Sequence, residues 1–501
     1  MMSKKKFDPH LIPLPRKIEF GEADVDIFDW RLDVQTALPE TLQKSYLEAL
    51  NLRMAGKGGG TVRLLLDTVL PREGYAFEVR EQMIEVRASA DVGFFYALQT
   101  LKQLVKNCYM PLCAVEDEPV LEMRGFQLNV KFVRQLNFEN ILQFIENAAS
   151  YKLNTIMLEY GDRFPLKKHS VINARDALTE EQLKQIVTCA EDHYIELIPL
   201  MQCIGHLEYV LQHDSYKHLR ENPDVTSQLC PANPEALALV REMLEEIIAL
   251  HGSSLRRIHI GGDEARQLGV CPKCAKRVAE SSVGVMFAEH LNQVCTMVTE
   301  AGLTPIIWDD ILCKHPDALE SLTRQATIMY WDYWSSDDQS PLLIARYRGE
   351  DCKLDHLGVI YDTYWNDSGK TATYANIGNR YSHAENMNDI GDDFLKRFGK
   401  YLGPEFPRLI KSFPYLEYYQ DHGFDVLGAP SCLGQRFDLA DGLENFSRTI
   451  PNMRGFAARC AESGSAGMVT TAWFNYPVEF LYYGLLATAQ YTWKAKYNFS
   501  T

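Results

Sequence analysis

A chain of 501 residues with 46% hydrophobic and 24% charged side chains has the balance of a globular protein of more than one domain, which excludes a disordered or fibrous chain. Its 51 basic and 67 acidic residues leave a net charge of −16, which argues against a nucleic-acid partner and favours a neutral or cationic ligand. No apolar run approaches the ~20 residues that cross a bilayer, so no membrane partner is expected. Lys4–Lys6 are followed by Asp8, His10 and prolines rather than by the apolar core of a signal peptide. The twelve cysteines are mostly single and set in apolar stretches (Cys189, Cys203, Cys295), as buried free thiols would be, and a cytoplasmic location is expected.

Up to about residue 118 strand-like pieces alternate with turns. Tyr75, Phe77 and Val79 repeat with a period of two, as do Ile84, Val86 and Ala88 beyond a short charged turn, which predicts a hairpin. A helix is predicted over Val92–Val105, with Phe95, Leu98, Leu101 and Leu104 on one stripe. These elements suit a small α+β domain over 1–118, with Pro111–Pro119 as the linker. From 119 to 501 strands and helices take turns. Strands are predicted at Gly125–Val130, Thr155–Tyr160, Ile195–Met201, Arg256–Ile260, Thr304–Trp308, Ala326–Trp331, Phe424–Ala429 and Gly467–Thr471. Between them lie helical patterns at Phe138–Ala149, Glu235–Leu250 and Met286–Ala301, and a capping box at Thr179 and Gln182. Repeated strand–helix units predict a parallel sheet, either an open doubly wound sheet or a closed (β/α)8 TIM barrel. The polar, aromatic stretch at about 335–419 reads as an insertion near a binding face.

Polar residues gather where these strands end. The second strand runs into Glu159-Tyr160-Gly161-Asp162, the third into Gly205-His206-Leu207-Glu208, and the fourth into Gly261-Gly262-Asp263-Glu264. The fifth ends at Trp308-Asp309-Asp310, the sixth at Trp331-Asp332-Tyr333, and the eighth at Trp473. In a barrel that face carries the active site, and indoles there supply flat walls for a sugar or acyl group. The sharpest motif is His259-Ile260-Gly261-Gly262-Asp263-Glu264. Two glycines permit a tight turn, after which both carboxylates can reach one cavity. On spacing alone a helix N-cap explains Asp263 and Glu264 as well as catalysis does.

This motif is similar to that of glycoside hydrolase family 20, the β-N-acetylhexosaminidases. LEYGDRFP (158–165), IPLMQCIGHLEYVL (198–211), RIHIGGDEARQLG (257–269), IIWDDIL (306–312) and TAWFNYP (471–477) resemble the hexosaminidase D branch in particular. The N-terminal GYAFEV and IEVRASADVGFFYALQTLKQL resemble the small domain that precedes family 20 barrels, so the resemblance covers nearly the whole chain.

The resemblance implies a retaining exo-β-N-acetylhexosaminidase that releases terminal N-acetylgalactosamine or N-acetylglucosamine by substrate-assisted catalysis. The acetamide carbonyl would attack the anomeric carbon, without metal or cofactor. Glu264 would be the acid–base, Asp263 would hold the acetamide N–H, and His206 would relay to the acid. A raised Glu264 pKa is expected from partial desolvation and the Asp263 charge. Arg124 would bind outer hydroxyls. Trp308, Trp331 and Trp473 would surround the acetamide pocket and sugar face, while Glu159, Asp162 and Glu208 belong to the pattern without an assigned role.

The chain also departs from the family. Asn129 replaces an Asp, Phe132 stands where a second Arg is expected, and Asn475 replaces a Glu. Gly428-Ala429-Pro430-Ser431 lacks the tyrosine that donates to the acetamide oxygen, leaving Tyr333 or Tyr364 as substitutes. The D-branch likeness leans toward N-acetylgalactosamine, and a homodimer is a further expectation. The alternatives are a carbohydrate-binding barrel without hydrolytic activity, and a diguanylate cyclase, whose Gly-Gly-Asp-Glu turn continues differently. Cys271-Pro272-Lys273-Cys274 could be half of a zinc knuckle or a redox pair, but no second CxxC exists. His290 and Cys295 lie too far along a helix to complete it, so ordinary thiols are expected.

Overall fold

The structure is a computed structural model that describes residues 10–55, 58–131, 137–333, 335, 339–341, 343–347, 350–351, 381–383, 396–405, 409–433, 446–473 and 478–495. Six strands form the first sheet: β1 (Lys17–Asp26), β2 (Arg31–Val34), β3 (Thr61–Leu66), β4 (Tyr75–Arg80), β5 (Met83–Ala88) and β6 (Tyr109–Asp117). They lie in the order β1-β6-β4-β5-β3-β2. The predicted hairpin is β4–β5, with Phe77 opposite Val86 and Val79 opposite Ile84, so the alternating apolar side chains meet on one face.

Two expectations change here. The presumed linker is mostly strand β6, which pairs with both β1 and β4, and the crossing to the barrel is confined to the residues just after Asp117. The helix Asp91–Leu104 is buried almost all round rather than on one stripe. One side lies on the sheet, where Tyr75 and Thr100 share a 2.6 Å hydroxyl contact, and the other meets Tyr194 and Trp493 of the barrel. A helix caught between two layers has little face left for water, and only Lys102 near its end is exposed.

Eight short strands follow: Met123–Asn129, Thr155–Glu159, Glu196–Leu200, Arg257–His259, Thr304–Trp308, Thr327–Trp331, Val426–Ala429 and Gly467–Ala472. Each runs parallel to the next, and Gly467 pairs with Leu427 on one side and Met123 on the other. The ring therefore closes, and the open doubly wound sheet is excluded. Met157, Leu200, Ile306, Trp308, Met329 and Val469 help fill its interior as a packed core rather than a pore. The Thr179–Gln182 capping box forms in both directions, at 3.0 and 3.1 Å. Within the presumed insertion, the helix Tyr415–Asp421 belongs to the barrel framework, because its tyrosines pack against Tyr330 and reach Asp309.

Candidate active site

The third and fourth strands are neighbours, and their loops meet over the C-terminal end of the barrel. A Cβ at Gly205 would lie 2.3 Å from the Asp263 carbonyl oxygen, so only glycine lets the two loops touch. Gly261 turns the other loop at φ 72°, where a Cβ would strike the Gln202 side chain. The residues that follow these turns, His206 and Glu264, both sit in the left-handed region at φ 51° and 49°. That conformation costs an L-residue roughly 1–2 kcal/mol, and such strain concentrates at functional sites.

The two loops place His206 between two carboxylates. Its Nε2 lies 3.2 Å from Asp263 Oδ2 and 3.3 Å from Glu264 Oε2. Burial opposes a charge on the ring, but Asp263 and Glu264 outweigh it and hold His206 well above the usual imidazole range. Asp263 is buried too; burial pushes it up, the His206 charge pulls it further down, and the net result is a carboxylate. Its Oδ1 is buried without a hydrogen-bond partner among the described residues. Below it His259 is buried and pushed down to about 3, so its ring is neutral. The Gly261 N–H donates to its Nδ1 at 3.0 Å.

Glu264 differs from expectation. Desolvation and Asp263 do push its pKa up, but the hydrogen bond to His206 and the charge of Arg266 pull harder, and the carboxyl lies below its ordinary value. Arg266 Nη2 reaches Glu264 Oε1 at 2.6 Å, a partner the sequence reading missed. The Glu264 N–H is fixed by Asp310 Oδ2 at 3.0 Å.

Aromatic side chains stand beside this group. The Trp308 ring lies 4.5 Å from His259 and 5.8 Å from Trp473, Trp473 Nε1 donates to Tyr333 Oη at 2.7 Å, and Tyr333 tilts against Trp331 at 5.0 Å. Burial raises the Tyr333 phenol pKa, and the charges of Asp263 and Glu264 add to the rise. Asp309 anchors the wall: its Oδ1 accepts from the Trp331 N–H at 3.2 Å and its Oδ2 from the Tyr419 hydroxyl at 3.1 Å.

The other expected site residues lie elsewhere. Arg124 does not reach this face, because it begins the first strand and so points from the opposite end of the barrel. It is fully buried, pairs with Glu73 at 2.7 Å, and donates to Tyr96 and to the carbonyls of Lys152, Leu121 and Glu122. The sugar-hydroxyl role is corrected to a structural one at the domain seam. Glu159 is buried under the third loop, held by Gln127 at 3.2 Å and Lys131 at 3.4 Å. Lys131 also donates to the His206 carbonyl at 3.0 Å, so this pair supports the loop. Asp162 pairs with Arg163 at 3.7 Å, and Glu208 opens a one-turn helix. Asn129 turns the chain by accepting from the Lys131 N–H. Phe132, Tyr364 and Asn475 lie outside the described residues. Cys271 and Cys274 are not isolated: Cys230 and Glu221, from the third loop, join them.

The family model of the catalytic domain of glycosyl hydrolase family 20 matches residues 122–351, and that of the family's domain 2 matches residues 8–118. Hexosaminidase D of Homo sapiens is 32% identical over 205 residues, covering 39% of this chain and 42% of the relative. Hexosaminidase D of Bos taurus is also 32% identical, covering 59% of the relative, so the chain spans about half the length of these relatives. The β-N-acetylhexosaminidase from Bacteroides fragilis superposes with a TM-score of 0.67 at 18% identity, over 98% of this chain and 92% of that one. The exo β-N-acetylglucosaminidase from Vibrio harveyi, solved with N-acetylglucosamine, gives 0.68 at 17% identity, over 98% and 74%. At such identity the likeness establishes the fold, a barrel preceded by a small domain.

Proposed function

The chain belongs to glycosyl hydrolase family 20, and from that premise and the site's geometry we propose that it is a retaining exo-β-N-acetylhexosaminidase acting by substrate-assisted catalysis. The observation that carries this reading is Asp263: one oxygen is fixed on His206, and the other is buried with no partner among the described residues. A carboxylate so placed accepts the N–H of a bound acetamide and turns its carbonyl oxygen toward the anomeric carbon. Consecutive residues are poorly placed to flank a glycosidic bond as an acid and a nucleophile ~5 Å apart. Membership of family 20 supports the alternative, in which the sugar's own acetamide is the nucleophile.

In the first half-reaction the acetamide oxygen bonds to the anomeric carbon as the bond to the leaving oxygen breaks. Glu264 gives that oxygen a proton. His206, 3.3 Å away and held protonated, supplies Glu264, whose own carboxyl is ionised in the free site. Asp263 balances the positive charge that spreads onto the acetamide nitrogen, and Tyr333 donates to its oxygen. In the second half Glu264 takes a proton from water, the water oxygen bonds to the anomeric carbon, and the acetamide is restored. Two inversions give retention.

The likeness to hexosaminidase D favours terminal N-acetylgalactosamine over N-acetylglucosamine. None of the described cysteines is joined in a disulfide, which supports a reducing, cytoplasmic setting. No helix among the described residues is long and apolar enough to cross a membrane. The test is hydrolysis of aryl β-N-acetylgalactosaminide and β-N-acetylglucosaminide, with the first-formed anomer followed by NMR. The β-anomer is expected, and Glu264→Gln should abolish turnover in a folded protein. Equal cleavage of the matching 2-hydroxy glycosides, or release of the α-anomer first, would overturn the mechanism.

A further inference from the structure

We propose that Cys230, Cys271, Cys274 and Glu221 form a structural zinc site that ties the third and fourth strand loops together beside the catalytic pair. The three Sγ atoms and a Glu221 carboxylate oxygen all lie within 4.8 Å of one another. Cys230 Sγ is 3.5 Å from Cys271 Sγ and 3.6 Å from Cys274 Sγ. A tetrahedral ion with Zn–S bonds of ~2.3 Å sets its sulfurs about 3.8 Å apart, whereas a disulfide brings two of them to ~2.05 Å. The observed spacing matches the first arrangement. Three sulfurs and one carboxylate also complete the four ligands of a closed zinc site, and soft thiolates select such an ion over magnesium or calcium.

The surroundings are those of a built site. Cys271 caps the helix Pro272–Glu280, and the Cys274 N–H donates to Cys271 Sγ at 3.3 Å, a contact that stabilises a thiolate. Glu221 is fully buried; its Oε1 accepts from the Cys271 N–H at 2.9 Å, while Oε2 has no well-formed hydrogen bond among the described residues and faces the three thiols. A buried carboxylate whose neighbours are thiols, weak donors, is better satisfied by a cation that the thiolates share. Binding replaces the thiol protons with the ion, so protons are released and affinity falls as the pH drops.

The site's position gives it a purpose. The segment from Glu221 to Cys230 leaves the loop that carries His206, where the Leu207 N–H bonds to the Ser227 carbonyl. The segment from Arg266 to Cys274 continues from Glu264. Already linked through the Gln267 N–H to Gln228 at 2.7 Å and Asn222 to Gln267 at 3.1 Å, the two would be clamped by the metal. The ion takes no part in the chemistry of the sugar.

The test is the metal content of the purified full-length chain, untagged and kept reduced. One zinc per chain is expected, with an X-ray absorption spectrum of three sulfurs and one oxygen. Cys230→Ser should retain less than about a tenth of that zinc, and Glu221→Gln should bind zinc at least about tenfold more weakly in a chelator competition. Removing the ion from the wild type should lower the thermal midpoint, restored by zinc and not by calcium. The proposal fails if the reduced wild type binds no zinc after dialysis against zinc chloride. It also fails if Cys230→Ser keeps its full complement, or if two of the three cysteines are found as a disulfide. None of these readouts depends on turnover, so they stand apart from the test of the proposed activity.

Discussion

Asp309 gives a prediction whose size follows from the structure. It follows the fifth barrel strand, is 1% exposed, and has no cation beside it among the described residues, so burial pushes its carboxyl up to about 7. In the unfolded chain the same group titrates near its model value of 3.8. Below that value both states carry the proton. As the pH rises through it, the unfolded chain releases its proton while the folded one keeps it, so unfolding becomes easier until Asp309 ionises in place. Stability from this group is therefore greatest in acid and falls as the pH climbs toward 7. The whole difference of about three units is worth roughly 4 kcal/mol, and the part between pH 5 and 7 about 2.7 kcal/mol, at about 1.36 kcal/mol per unit. Asp309→Asn keeps the shape and cannot ionise. Urea unfolding followed by tryptophan fluorescence at pH 5 and pH 8 should show the wild type losing about 2.7 kcal/mol more than the variant. Parallel pH curves for the two proteins would refute the reasoning, because Asp309 would then be ionised or paired in a way the structure does not show.

Three further outcomes are expected. Arg266→Gln removes the cation that helps hold Glu264 ionised, so the alkaline limb of the kcat/KM profile should move to higher pH, and a downward shift or none would count against the pairing. Arg124→Met should cost about 3 kcal/mol of stability by stranding Glu73 and three backbone carbonyls, yet leave KM of the folded enzyme unchanged; a selective rise in KM would return Arg124 to the sugar. Tyr333→Phe should lower kcat on an aryl N-acetylhexosaminide about a hundredfold with little change in KM, and an unchanged kcat would pass the acetamide contact to another residue.

The elements were legible where period and punctuation agree. Thr304–Trp308, a largely apolar run between a glycine-terminated helix and an acidic pair, is a strand over the same residues, and the Thr179–Gln182 box caps its helix as read. Pro111–Pro119 reads as a linker by its prolines and acids, but most of it is strand, because Cys113 and Val115 are buried in the sheet. A proline is tolerated near the start of a strand, and Pro111 is its third residue. Arg124 misleads for a different reason: a place in the first strand does not say which end of the barrel a side chain reaches, and Arg124 is the second residue of a strand whose site lies beyond the seventh.

What stayed hidden were the partners. Lys131 under Glu159, Arg266 against Glu264, and Cys230 with Glu221 beside the CxxC carry no motif of their own, since each is defined by how one loop folds over another. A parallel barrel nevertheless limits where such partners can be, because successive strands are neighbours and so are the loops that leave them. His259 pairs with Leu200 across the third and fourth strands, and this one adjacency brings together His206 with Asp263, Gln228 with Gln267, and Cys230 with Cys271, 41 residues apart. A half-motif after one barrel strand, such as the unmatched Cys271 and Cys274, therefore finds its other half in the loop of the preceding or following strand. His290 and Cys295 follow in sequence but stand on the next helix, Val283–Glu300, outside the group that Cys271 and Cys274 join.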